Sequence, residues 1–181
     1  MITLIIALLT SSVSFSGIEG YKSPFSTYDE SIISIAKEKC ENARRDLVST
    51  EFLTRLLDIE KELGIPFTYR GMVLAAACNE SGYNPAAIGD GGKAVGILQM
   101  WPWWKTRFGL DRKDPLASAR TWLSHILRTL PKAERRCGKR RAFLAAWSWV
   151  ASGPQGWTCR APRHYTRLRK WHRYVKLRLD M

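Results

Sequence analysis

The chain has 181 residues and a formal net charge of +13, a length that suits one domain with a sizeable core and leaves no room for two ordinary ones. The charge is uneven: residues 1–62 hold 7 Lys/Arg against 10 Asp/Glu, whereas residues 63–181 hold 22 against 6. Such asymmetry points to a polyanionic partner, whether nucleic acid, anionic membrane or the anionic bacterial envelope, and composition alone does not choose among them.

Met1 to Gly17 carries no charged side chain, and Ile2 to Leu9 is a nearly continuous apolar run followed by small and polar residues up to Ser16. A spanning helix needs about 20 apolar residues, so residues 1–17 read as a secretory signal with cleavage near Ser14 or Ser16. A retained N-terminal anchor or a buried helix is the alternative, because the amino terminus is the only positive charge ahead of the apolar run. Residues 18–26 then read as a flexible polar segment and residues 27–181 as the folded domain.

Helical signals follow one another from there. Ser26 or Thr27 is placed to cap a helix bearing Ile32, Ile33, Ile35, Ala36 and Cys40 near one face. Ser49 or Thr50 caps a second with Phe52, Leu53, Leu56, Leu57 and Ile59, closed by Gly64 and Pro66. A third runs from about Tyr69 through Ala75–Ala77 to Glu80, ended by Gly82 and Pro85. Residues 82–96 contain five glycines and a proline, the composition of an irregular loop or a short hairpin. Asp114-Pro115 starts a helix carrying Leu116, Ala119, Trp122, Leu123, Ile126 and Leu127, which Pro131 is expected to close. Another spans about Lys139 to Ala151 and stops at Gly153-Pro154, and a last basic helix covers about Arg163 to Leu179. The fold class is therefore mainly α, one domain with a glycine-rich insertion in its middle.

Cys40, Cys78, Cys137 and Cys159 make an even count in a chain with an export signal, so two disulfides are expected, in any of three connectivities. Cys137–Cys159 is the favoured pair because both residues flank the 139–151 helix and its turn, which leaves Cys40–Cys78. No C-x-x-C spacing occurs, and His125, His164 and His172 stand at no metal-binding spacing, so neither a metal nor a cofactor is expected.

Cys78 to Met100 carries the chemistry. An apolar helix ends there in a solitary carboxylate, Glu80, the only acid between Glu62 and Asp90. A carboxyl on an apolar helix end facing a cleft is desolvated and keeps its proton, as a general acid for a glycosidic oxygen must. The plain alternative is a helix-end glutamate in water or paired with Arg70. Cys78 lies two residues before Glu80, roughly 200° around the helix, so a disulfide from Cys78 braces the helix from behind while Glu80 faces outward.

Glu80-Ser81-Gly82-Tyr83-Asn84-Pro85, followed after the glycine-rich loop by Gly96-Ile97-Leu98-Gln99-Met100, resembles the signature of soluble lytic transglycosylases and the related goose-type lysozymes. Ala145-Ala146-Trp147-Ser148 before Gly153 is similar to that family's third motif, with Trp147 and Ser148 where a tyrosine and an asparagine are usual. Tyr165 resembles the tyrosine of the closing helix that contacts the catalytic glutamate. The likeness covers roughly residues 51–178. It implies an α+β lysozyme-like fold whose glycine-rich loop or small hairpin lies beside an active-site cleft.

The same resemblance implies cleavage of the bond between N-acetylmuramic acid and N-acetylglucosamine in peptidoglycan. Glu80 would protonate the linking oxygen and then draw the proton from the muramic acid C6 hydroxyl, closing a 1,6-anhydro ring. Ordinary glycosidases need two carboxylates; here the substrate supplies the nucleophile. Ser81 is expected to orient Glu80 or the sugar. Gly96, Ile97, Leu98 and Gln99 are expected to hydrogen-bond sugar amides or simply to form a packed turn, and Trp147, Tyr165 and Asp90 to border the substrate.

Trp101, Trp103 and Trp104 are candidates to stack on pyranose faces or to pack in the core, whereas Trp122 and Trp171 read as core. From Lys132 to Arg178 there are 14 Lys/Arg and one acid, Glu134, which suits binding to an anionic envelope by an exported monomer. No nucleic-acid-binding motif accompanies the charge, so nucleic acid is not the expected partner. A hydrolytic muramidase using Asp90 to position water, and a non-enzymatic cationic wall- or membrane-binding protein, remain the alternative readings.

Overall fold

The structure, a computed structural model, describes residues 24–179 apart from 42, 44–47 and 153–157. The signal reading for 1–17, residues 18–23 of the flexible segment and the Gly153-Pro154 stop lie outside the described residues.

Among the described residues seven α-helices carry the fold: α1 (Pro24–Lys39), α2 (Thr50–Glu62), α3 (Met72–Ser81), α4 (Pro102–Phe108), α5 (Pro115–Cys137), α6 (Lys139–Ser152) and α7 (Arg163–Arg178). An antiparallel hairpin, β1 (Ile88–Gly89) and β2 (Ala94–Val95), interrupts them, with Ile88 opposite Val95 and Gly89 opposite Ala94. A mainly α domain is what the helical signals predict, and the glycine-rich insertion, expected as an irregular loop or a short hairpin, forms a hairpin.

The helix starts follow their caps. Ser49 accepts a hydrogen bond from the Phe52 amide at 3.0 Å, and Asp114 accepts from the Leu116 and Ala117 amides at 2.9 Å, with Pro115 in the first turn. α1 starts at Pro24, ahead of the Ser26/Thr27 cap expected for it. α5 runs through Pro131 instead of ending there, a correction to the sequence reading. Proline inside a helix costs about 3 kcal/mol, but the turns beyond it are held by buried Ala133 and by the Cys137–Cys159 disulfide. α4 was not expected at all; Pro102 at its first turn and Gly109 after its end delimit it.

α3 is buried on every side from Met72 to Cys78. Ala75, Ala76 and Ala77 let its neighbours approach closely, and Cys40–Cys78 ties it to the end of α1. Its N-terminus has no capping side chain of its own. Instead Glu60, on the apolar face of α2 with Leu53, Leu56 and Leu57, accepts hydrogen bonds from the Gly71 and Val73 amides at 2.7 Å each. Arg70 lies 4.0 Å from Glu60 and grips Asp29 of α1 through two bonds of 2.9 and 2.6 Å. Gly71 must be glycine: its φ is +87°, and a Cβ there would lie 2.5 Å from Ile32 Cδ1. Gly138 alone separates α5 from α6, so these two helices fold back on each other, while α7 packs on both α1 and α3. That last packing brings the basic C-terminal helix over the end of α3.

Candidate functional site

α3 ends in an αL residue at Gly82, where the Gly82 amide reaches Cys78 O at 3.1 Å and the Tyr83 amide reaches Ala77 O at 3.3 Å. Glu80 occupies the last turn and Ser81 the final position. Cys78 is buried in its disulfide while the Glu80 side chain, a third exposed, borders a cavity. The opposition of these two residues follows from their helical spacing. Arg70 is spent on Asp29 and the Leu57 carbonyl, so the arginine that sequence offered as a partner for Glu80 is engaged elsewhere.

The partner Glu80 does have is His164. Its Nε2 lies 2.6 Å from Glu80 Oε1, and its ring is almost fully buried. Sequence reasoning placed Tyr165 in that role. One step along a helix turns a side chain about 100°, so with His164 facing Glu80, Tyr165 turns away; its ring packs near Tyr69 and Trp147 and does not line the cavity. The only forewarning was that His164 precedes the tyrosine on an otherwise basic helix.

The cavity measures about 580 Å³, within the range of small-molecule sites. Glu80, His164 and Asp90 are its titratable lining residues, and Trp101, Trp103, Trp104 and Trp122 line it with indole. Trp101 and Trp103 are exposed, and Trp103 stacks on buried Trp104 at 4.3 Å between centroids. Trp122 belongs to the core, as expected, and also forms part of the cavity wall; Trp171 is core only.

The hairpin loop supplies the facing wall, and its order comes from internal hydrogen bonds. Ser81 Oγ donates to Ile97 O at 2.9 Å and lies 3.2 Å from Ala77 O, tying the end of α3 to the loop. Gln99 Nε2 donates to Gly96 O at 2.9 Å and to Ala87 O at 3.3 Å. Gly96 donates its amide to Ala87 O at 2.9 Å and has φ +82°, with a hypothetical Cβ only 2.0 Å from Arg112 O. Arg112 in turn donates to Lys93 O and Met100 O at 2.7 and 2.8 Å. The 96–99 turn is thus a self-bonded support, with Leu98 and Gln99 lining the cavity and Ile97 wholly buried.

Trp147 is completely buried, edge-on to Trp122 at 6.3 Å and 6.2 Å from the His164 ring, and does not line the cavity. Its expected place beside substrate is therefore corrected: it is packed behind the wall formed by Trp122 and His164. Ser148 is buried too, whereas Ser152, one turn later on α6, reaches the cavity.

Both disulfides pair as favoured, Cys40–Cys78 and Cys137–Cys159. Among the described residues no group of three or more His, Cys, Asp or Glu is placed to hold a metal ion, and no helix is long and apolar enough to cross a membrane. No protein-family model, curated protein or solved structure matches the chain.

Proposed function

We propose that the chain is an exported enzyme that cleaves the glycan strands of peptidoglycan as a lytic transglycosylase, with Glu80 as its single catalytic acid and base. The observation that carries this reading is the position of Glu80: a lone carboxylate at the end of a buried, disulfide-braced helix, bordering an indole-lined cavity. Pyranose rings present apolar C–H faces that pack on indole, while their polar edges need the few directed groups such a cavity offers.

In this mechanism Glu80 gives its proton to the oxygen joining muramic acid C1 to glucosamine C4, and the C1–O bond breaks. The glucosamine leaves with a free 4-hydroxyl. The muramic acid O6 then bonds to C1 while its proton passes to the Glu80 carboxylate, so the acid is regenerated and no water is consumed. Exposed tryptophans Trp101 and Trp103 hold the sugar faces, and the Ser81–Ile97 bond fixes the distance between α3 and the loop wall. The two disulfides and the excess of basic residues suit an oxidising, anionic envelope.

Glu80→Gln should keep the fold by circular dichroism and lose about 10²-fold or more of the cleavage rate on purified sacculi; full lysis by the variant would instead support a cationic wall- or membrane-disrupting protein. Mass spectrometry of the released fragments tests the product. Asp90 borders the same cavity and supports a second reading, hydrolysis by water positioned there. That reading predicts reducing ends one water heavier than anhydro ends.

A further inference from the structure

We propose that His164 is a positioning residue for Glu80, and that imidazole and carboxyl act as one proton-holding pair, so that cleavage follows the protonation of the pair. This rests on the reading of Glu80 as the catalytic acid. The two atoms lie 2.6 Å apart across 84 residues of sequence, and the imidazole is 5% exposed. The ring is held in place by its helix: Leu168 and Trp171, four and seven residues on, bury the same face of α7 against the core. A carboxyl at a helix end has free rotation about its side-chain bonds, and this contact removes it at the cavity wall.

The other ring nitrogen explains why the contact can also move a proton. His164 Nδ1 is buried and has no hydrogen-bond partner among the described residues, so among them Glu80 is the group that bonds to the ring. With one proton on the pair, Nε2–H donates to the carboxylate and Glu80 has nothing to give. With two, the pair is either imidazolium beside carboxylate or Nδ1–H imidazole accepting from a carboxylic acid. These forms differ only in which nitrogen and oxygen hold the protons, and in the second Glu80 carries the one the leaving group needs. After transfer, the carboxylate faces the unprotonated Nε2 of the Nδ1–H ring and receives the C6 hydroxyl proton, which restores the count.

Few other charges face the pair. Asp90, from the segment between the hairpin strands, is the remaining titratable group lining the cavity. On α7, Arg163 is exposed, and Arg167 lies with Nη1 3.2 Å from Cys78 Sγ, behind α3. The neighbouring wall from α6 offers Ser152 and, behind it, Trp147; that from α4 and α5 offers indoles.

The test compares the native chain with His164→Leu, His164→Gln and Glu80→Gln. On a soluble glycan, His164→Leu should lose about 10-fold or more of kcat at every pH. His164→Gln, whose amide can still donate to the carboxylate, should recover most of that loss, with a pH–rate profile that differs from the native one. Independently of turnover, the Nε2 resonance of the His164 ring, read by NMR at one fixed pH, should shift when Glu80 is replaced by Gln. An unmoved Nε2 resonance, a His164→Leu variant at native rate, or a His164→Gln profile that overlays the native one each overturns the proposal. A resonance that moves while Glu80→Gln retains full turnover leaves the contact real and overturns its catalytic role together with that of Glu80.

Discussion

Glu60 is a buried acid that caps a helix other than its own, and replacing it with glutamine should change how stability responds to pH. Its side chain is fully buried, and that burial pushes its carboxyl up from 4.5 to about 7; the bonds from Val73 and Gly71 and the Arg70 guanidinium offset only part of the desolvation. Because the folded-state value lies above the unfolded one, the native state holds this proton more tightly. Stability from this group is therefore full below about pH 4.5 and is lost as pH rises through 7. At about 1.4 kcal/mol per unit, the loss amounts to about 3 kcal/mol.

Glu60→Gln removes that ionisation but points an amide N–H at one of the two backbone donors now 2.7 Å from the carboxylate, which costs about 1–3 kcal/mol for the donor left without an acceptor. At pH 5 the variant should therefore be less stable than the native chain by about that amount. At pH 8 the gap should close or invert, since only the native chain then holds a buried charge. Urea unfolding of both, disulfides intact, at pH 5, 6, 7 and 8 measures the gap directly; taking the difference cancels the surface carboxylates common to both. A gap that stays constant across this window refutes the reasoning, because Glu60 would then be equally ionised in the folded and unfolded chains.

Gly96→Ala should destabilise the domain by about 2 kcal/mol or more, as a positive φ and a Cβ 2.0 Å from Arg112 O both oppose it; an unchanged melting temperature would show that the turn tolerates displacement. Replacing Cys137 and Cys159 together with Ala should lower stability by about 2–4 kcal/mol, read by chemical denaturation of oxidised protein, and the non-reduced native chain, denatured, should titrate no free thiol. Activity on whole sacculi should fall steeply with added salt while cleavage of a short soluble glycan changes little, since long-range attraction is screened over about 8 Å at physiological ionic strength. Arg169, Lys170 and Arg173 are the exposed positions of α7 on which to test this with Gln, whereas Arg167 packs against the Cys78 sulfur and would confound the result.

The candidate site was legible in sequence up to the point where neighbours distant in the chain decide geometry. Glu80 stands out because it is the lone acid on an apolar helix bounded by glycine, and its opposition to Cys78 is a matter of local spacing. The glycine-rich stretch predicts an irregular loop or a short hairpin for the same local reason: five glycines in fifteen residues permit turns that other residues resist. Trp101, Trp103 and Trp104 could not be assigned to core or cavity, because indole serves both and the unforeseen α4 sets which edge of each ring faces out.

The helices other than α4, a cap at Ser49 or Thr50, a helix start at Asp114-Pro115 and the solitary carboxylate were determined by sequence alone, since each depends on residues within a few turns; the cysteine count narrowed the disulfides to a favoured pairing among three. Only the tertiary structure decided that His164 and not Tyr165 meets Glu80, because a 100° step on α7 becomes meaningful once that helix is packed on α3. It also decided that Glu60 caps a helix it does not belong to, that Gln99 and Ser81 brace the loop wall, and that Pro131 is carried through α5. These rest chiefly on groups 11 to 84 residues apart or on packing beyond the local turn, and local propensity has no means of registering the energy of a contact whose partner it does not contain.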